Sequence, residues 1–130
     1  MNIEGSVVLV TGANRGLGLA YARAALAAGA RKVYAAARDP ASITLEGVVP
    51  IALDVTDAGQ VAAAARACAD VTLLINNAGI SRGAGLLNAS GGFDEARAEF
   101  ETNFFGPWAM ARAFAPELKA NGGGGVVEVL

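Results

Sequence analysis

Eight consecutive residues, Thr11-Gly12-Ala13-Asn14-Arg15-Gly16-Leu17-Gly18, have the types and spacing of an anion cradle. Gly12 permits a tight turn, Gly16 lets backbone come close to a pyrophosphate, and Gly18 lets a helix pack against a strand. Asn14, Arg15 and Leu17 lie where a helix would start, and free N–H groups there face an anion. A glycine-rich turn without a ligand is the plain alternative. Other chemistries are excluded by composition. The chain has no histidine and one cysteine, Cys68. A histidine-dependent triad, a histidine metal site and a cysteine zinc cage are therefore ruled out, and no metal is expected.

The elements that must position this loop are legible. Val7 to Val10 is a continuous apolar run, as in a strand buried on both faces. Leu17 to Ala28 reads as a helix with Leu17, Ala20, Tyr21 and Ala24 at helical spacing, and Gly29 stops it. Strands are expected at 32–36, 48–53, 71–75 and 126–130. A helix at 57–67 is opened by Thr56 or Asp57, and a long helix runs over 94–118. Pro40 and Gly47 bracket at most a short helix, and 79–92 and 122–125 read as glycine-rich loops. This alternation predicts one α/β domain over residues 1–130: a five-stranded parallel sheet with helices on both faces.

The spacing T-G-x-x-x-G-x-G, followed by Asp54-Val55, Asn76-Asn77-Ala78-Gly79 and Asn103 with Gly106 behind it, resembles the classical short-chain dehydrogenase/reductase family. The four motifs follow in the family's order over nearly the whole chain. The resemblance implies a Rossmann-like sheet of order 3-2-1-4-5. It implies that Asp54 and Val55 meet the adenine, that Asn76, Ala78 and Gly79 border the cofactor, and that Asn103 is the family's catalytic asparagine. Its carbonyl would hold a relay water, because Pro107 has no N–H to occupy it; a plain kink at Pro107 reads equally well.

At the end of the second strand an acid would bind a ribose 2′-hydroxyl, and an arginine a 2′-phosphate. Arg38 stands there, with Arg15 in the glycine loop, so NADP(H) is the expected cofactor. Alternatively Arg38 is a solvated loop charge paired with Asp39.

The family's chemistry also needs a serine and a Tyr-x-x-x-Lys pair. Tyr21 and Tyr34 stand in other elements, and neither Lys32 nor Lys119 has the required spacing. Glu128 stands where the family commonly has an asparagine. The expectation is thus a C-terminally truncated member that binds NADP(H) weakly and lacks dehydrogenase activity by itself. A fragment of a longer reductase, a partner-completed enzyme and a self-associating structural protein remain alternatives.

A stripe of Phe100, Phe104, Trp108, Ala111, Ala115 and Leu118 adjoins a second face with Phe105, Ala109 and Arg112. One stripe is expected on the sheet. The remainder, with the apolar strand 126–130, predicts a homodimer or larger through the long helix, the sheet edge or both. A net charge of −2 argues against nucleic-acid binding. No run is long enough to cross a membrane, and Met1 to Gly5 has no leader-like pattern, so a cytoplasmic protein is expected.

Overall fold

The computed structural model describes residues 1–83, 87 and 92–130. The rest of the expected loop over 79–92 lies outside the described residues. Five strands form one sheet: β1 (Val7–Thr11), β2 (Lys32–Ala37), β3 (Val49–Ala52), β4 (Leu73–Asn76) and β5 (Gly125–Glu128). Their order is β3-β2-β1-β4-β5, and every pair is parallel. The expected Rossmann-like topology is therefore present, with strand ends displaced by one or two residues. Among the described residues they are connected by α1 (Gly16–Ala27), a short 3₁₀ turn (Pro40–Ser42), α2 (Ala58–Ala67), and a long helix made of α3 (Phe93–Phe100) and α4 (Gly106–Ala120).

The pleat of β1 explains its unbroken apolar run. Val7 and Leu9 join a cluster with Val61, Ala64 and Ala65 of α2 and Met110, Phe114 and Leu118 of α4. Val8 and Val10 face the other way, against Ala22 and Ala25 of α1. The sheet is thus covered on both faces. Pro50 is tolerated in β3 because that strand is an edge.

Two expected helix faces are corrected. In α1 the buried residues are Gly18, Ala22 and Ala25, not the stripe of Leu17, Ala20, Tyr21 and Ala24. The close approach allowed at Gly18 turns that side inward and leaves Leu17 61% exposed. In the long helix the sheet-facing residues are Gly106, Met110, Phe114 and Leu118. The aromatics Phe100, Phe104, Phe105 and Trp108 face outward instead. Three of them pack on one another, with Phe104 edge-on to Phe105 at 5.2 Å and to Trp108 at 5.9 Å between centroids.

The long helix is also not regular. Glu101–Phe105 forms a π-helical turn between α3 and α4. The Gly106 N–H donates to the Glu101 carbonyl, five residues back. Pro107 follows directly and can donate no backbone bond. The irregularity at this point of the helix is thus a wide turn just before Pro107. Pro116 lies inside α4 without ending it.

Among the described residues no helix is long and apolar enough to cross a membrane. Among them, too, there is no cluster of three or more His, Cys, Asp or Glu able to hold a metal.

Candidate functional site: a cleft at the strand ends

A cleft of about 980 Å³ opens at the C-terminal ends of the strands. It lies where the strand order reverses between β1 and β4, the place at which open α/β sheets receive ligands. Its wall includes Gly12, Asn14, Arg15 and Gly16 from the glycine loop, Arg38 and Asp39 after β2, and Asp54 and Val55 after β3. Asn77, Ala78 and Gly79 after β4 complete it, with Glu101 and Thr102 of the π turn opposite.

The loop's glycines divide their work as the sequence suggests. Gly12 and Gly16 have φ of 63° and 56°, where a side chain is strained. A Cβ on Gly16 would meet nothing within 4 Å, so its backbone borders open space. At Gly18, by contrast, a Cβ would collide with the Gly12 carbonyl oxygen and lie 2.6 Å from Asn77 Nδ2. Gly18 therefore sits beneath the loop and sets helix against strand, and it does not line the cleft. Leu17 is likewise outside the lining residues.

The loop is fastened to β4 by a polar clasp. Thr11 Oγ1 accepts from the N–H groups of Asn77 and Ala78 at 3.0 and 2.9 Å. Asn77 Nδ2 donates to the carbonyls of Thr11 and Gly12 at 3.2 and 3.3 Å. Sequence reasoning chose Asn76 from the Asn-Asn pair, but the structure puts Asn77 in the cleft. Asn76 is interior, its Nδ2 donating to Glu128 at 2.9 Å. Strand alternation sends adjacent residues to opposite sides, and the sequence did not show which side carried the site.

Asn103 does not line the large cleft. Its Oδ1 accepts from the Ile80 N–H and its Nδ2 donates to the Ile80 carbonyl, both at 2.8 Å. The side chain thus acts as a peptide-like clamp on the segment leaving β4.

The two arginines differ in setting. Arg15 is the exposed residue preceding α1, in extended conformation. Arg38 borders the cleft, and no carboxylate among the described residues lies within ion-pair distance of it. Asp39 is engaged elsewhere: its Oδ1 accepts from the Ala41 N–H at 3.0 Å and caps the short 3₁₀ turn Pro40–Ser42. The pairing of Arg38 with Asp39 is therefore not formed.

Asp54 Oδ1 accepts from the Thr56 hydroxyl at 2.7 Å and the Thr56 N–H at 2.9 Å. These donors, with the charge of Arg38 behind them, hold the Asp54 carboxyl below the usual carboxylate range.

Neither tyrosine lines the cleft. Tyr34 does meet a lysine, with its hydroxyl 3.2 Å from Lys32 Nζ, but both are bound to Asp70, at 2.7 and 2.6 Å. Burial, and then the Asp70 hydrogen bond, push the Tyr34 phenol up, the opposite of what a proton-accepting tyrosine needs.

The profile of the family described as short chain dehydrogenase matches residues 6–130. The galactitol 2-dehydrogenase (L-tagatose-forming) of Cereibacter sphaeroides is 38% identical over 98% of this chain and 53% of its own length. The short chain dehydrogenase tazN of Aspergillus terreus is 36% identical over 91% of this chain and 29% of its own length. A crystal structure of a short chain dehydrogenase from Burkholderia cenocepacia in complex with NADP is 49% identical, with a TM-score of 0.91. That match covers 97% of this chain and 53% of the other. The chain thus spans about half, or less, of the length of the proteins it matches. With its sheet order, its glycine loop and the profile match in agreement, the chain belongs to the short-chain dehydrogenase family.

Proposed function

We propose that the chain is a nucleotide-binding unit for NADP(H), holding the adenosine and pyrophosphate half of the cofactor. The observation that carries this reading is the pairing of open space over Gly16 with an Arg38 that forms no ion pair with any carboxylate among the described residues. The residues fit the group. The loop residues Gly12, Asn14, Arg15 and Gly16, with Leu17 and Gly18 completing the turn, face the pyrophosphate with backbone N–H groups. Arg38, with Arg15, reads the 2′-phosphate, since a guanidinium matches phosphate geometry and Asp39 Oδ1 is held by the Ala41 N–H and not by Arg38. Asp54 and Val55 border the adenine, and Ala78 and Gly79 the far side of the dinucleotide. The similar Burkholderia protein was crystallised with NADP, which supports the choice.

When bound, the cofactor would supply a hydride. The residues here bind and orient it, but no tyrosine in the cleft can move a proton. We therefore propose that these 130 residues do not turn over a substrate by themselves, and, since they hold only the adenosine and pyrophosphate half of the cofactor, that binding is weak. The buried, unpaired thiol of Cys68 suits a reducing compartment such as the cytoplasm.

Calorimetric titration of the purified chain tests the reading. Saturable heat, tighter for NADPH than for NADH and lost in Gly16→Trp, is the expected result. Absence of heat at millimolar ligand means binding weaker than about 4 kcal/mol and defeats it.

The outward aromatics favour a second element of the reading, self-association. Phe100, Phe104, Phe105 and Trp108 are each about half exposed and contiguous on one helix face. Light scattering at micromolar concentration should show a dimer or larger species that Trp108→Glu dissociates without unfolding. A monomeric wild-type chain sinks this part.

A further inference from the structure

Asp54 is held with unusual completeness. Its N–H donates to Gln60 Oε1 at 2.8 Å. Its carbonyl accepts from the Asp57 N–H at 3.0 Å. Its Oδ1 takes both Thr56 donors. Among the described residues, Oδ2 is the one hydrogen-bonding atom of Asp54 outside these pairings.

Gln60 reaches Asp54 by an altered helix cap. Asp57 is the N-cap of α2, and its Oδ1 accepts from the Gln60 N–H at 3.0 Å. A glutamine at this third helical position ordinarily turns back to the N-cap backbone N–H. Here the Asp54 carbonyl already holds that N–H, and the glutamine carbonyl extends to the Asp54 N–H instead. Its own amide is steadied by Asp57 Oδ2 at 3.3 Å.

We infer that Gln60 is a positioning residue for base recognition: it fixes the Asp54 backbone so that Oδ2 is presented to the exocyclic amino group of the adenine. The inference rests on the NADP(H) reading above and deepens it. Thr56 keeps the carboxyl ionised and therefore acceptor-only. An ionised acceptor takes a hydrogen bond from an amino group and repels a carbonyl oxygen. The site should thus distinguish adenine from hypoxanthine, which carries an oxo group at that position. Because the Asp54 N–H is exposed, water can replace Gln60 as its partner, so losing Gln60 loosens the aspartate without unfolding the chain.

The test compares NADPH with its deamino analogue, in which hypoxanthine replaces adenine, by calorimetry on the full chain. Wild-type protein should bind NADPH at least several-fold more tightly than the analogue. Gln60→Met, which keeps length and removes the acceptor, should shrink that ratio at least threefold. Asn121→Ala serves as the control for general destabilisation. Asn121 Nδ2 binds the Ala69 and Val71 carbonyls, apart from the cleft-lining residues, so its loss should lower the melting temperature and leave the ratio alone. An unchanged ratio in Gln60→Met, or an equal loss in Asn121→Ala, overturns the inference while the NADP(H) reading stands. Wild-type binding of both ligands without preference also overturns it. Binding of neither ligand by the wild type defeats both.

Discussion

Replacing Gly106 by alanine puts a methyl group 2.6 Å from Val55 Cγ2 and 3.1 Å from Val55 Cβ. Carbon atoms prefer about 3.5–4.0 Å, so roughly 1 Å must be found in a packed contact. Overpacking of this kind costs about 1–3 kcal/mol. Alanine also gains about 1 kcal/mol over glycine in a helix, so the net loss should be about 0–2 kcal/mol. In a Val55→Ala background Cγ2 is gone and only the 3.1 Å approach to Cβ remains. There the same substitution should be neutral or slightly stabilising. The coupling between the two sites is then about 1–2 kcal/mol, within the range seen for residues in direct contact. Urea denaturation of the wild type, both single variants and the double variant measures it. With a slope of about 2 kcal/mol/M, Gly106→Ala alone should lower the midpoint by up to roughly 1 M. Additivity within about 0.5 kcal/mol refutes the claim that Gly106 exists to let the helix close on Val55.

Two further outcomes follow from contacts already described. Thr11→Val removes the acceptor of two backbone N–H groups, at 2.9 and 3.0 Å, and should destabilise the chain by about 2–4 kcal/mol in the same denaturation assay. A change below about 1 kcal/mol would show that water replaces the hydroxyl there. The second concerns pH. Burial opposes ionisation of Asp70, but hydrogen bonds from Lys32 and Tyr34 outweigh it and hold the folded carboxyl below its ordinary value of about 3.9. A depressed acid contributes stability that is complete above the unfolded value and lost as pH falls through the folded one. Melting temperature measured against pH should therefore fall less steeply below about pH 4 in Asp70→Asn than in the wild type. Parallel profiles would remove Asp70 from the acid response.

Strong local chemistry was legible in the sequence, and shared apolarity was not. Val7 to Val10 reads directly as a doubly buried strand, the glycine loop as a tight turn between strand and helix, and the cap of α2 as one of two neighbours, Thr56 or Asp57, of which Asp57 fills it. The long helix carries two runs at four-residue spacing, Phe100-Phe104-Trp108 and Gly106-Met110-Phe114-Leu118. Both are apolar, and size alone favours the aromatics as core. The choice is made by Gly106, whose missing side chain admits Val55, and by the wide turn over Glu101–Phe105 that resets the helix phase. No single-sequence periodicity contains that reset. The same ambiguity rotated α1 by one residue, because alanine populates both its faces. The Asn76-Asn77 pair failed for a different reason: identical neighbours give no clue to which faces the cleft. Gln60 was missed although a glutamine three residues after Asp57 is a recognisable cap signal. Its bond to Asp54 depends on the N-cap amide being already taken.

The two halves of the cleft differ in how far along the chain their fastenings reach. Everything that grips Asp54 comes from Thr56, Asp57 and Gln60, within six residues of it. The glycine loop is held by Thr11 and Asn77, which are 66 residues apart. Contacts between near neighbours close quickly, and distant ones wait for the intervening chain to be ordered. During folding the turn around Asp54 can therefore take its shape while the glycine loop is still open. The cleft is then completed late, when β4 docks beside β1, and under the NADP(H) proposal the first appearance of binding in a refolding experiment would mark the moment the sheet is joined.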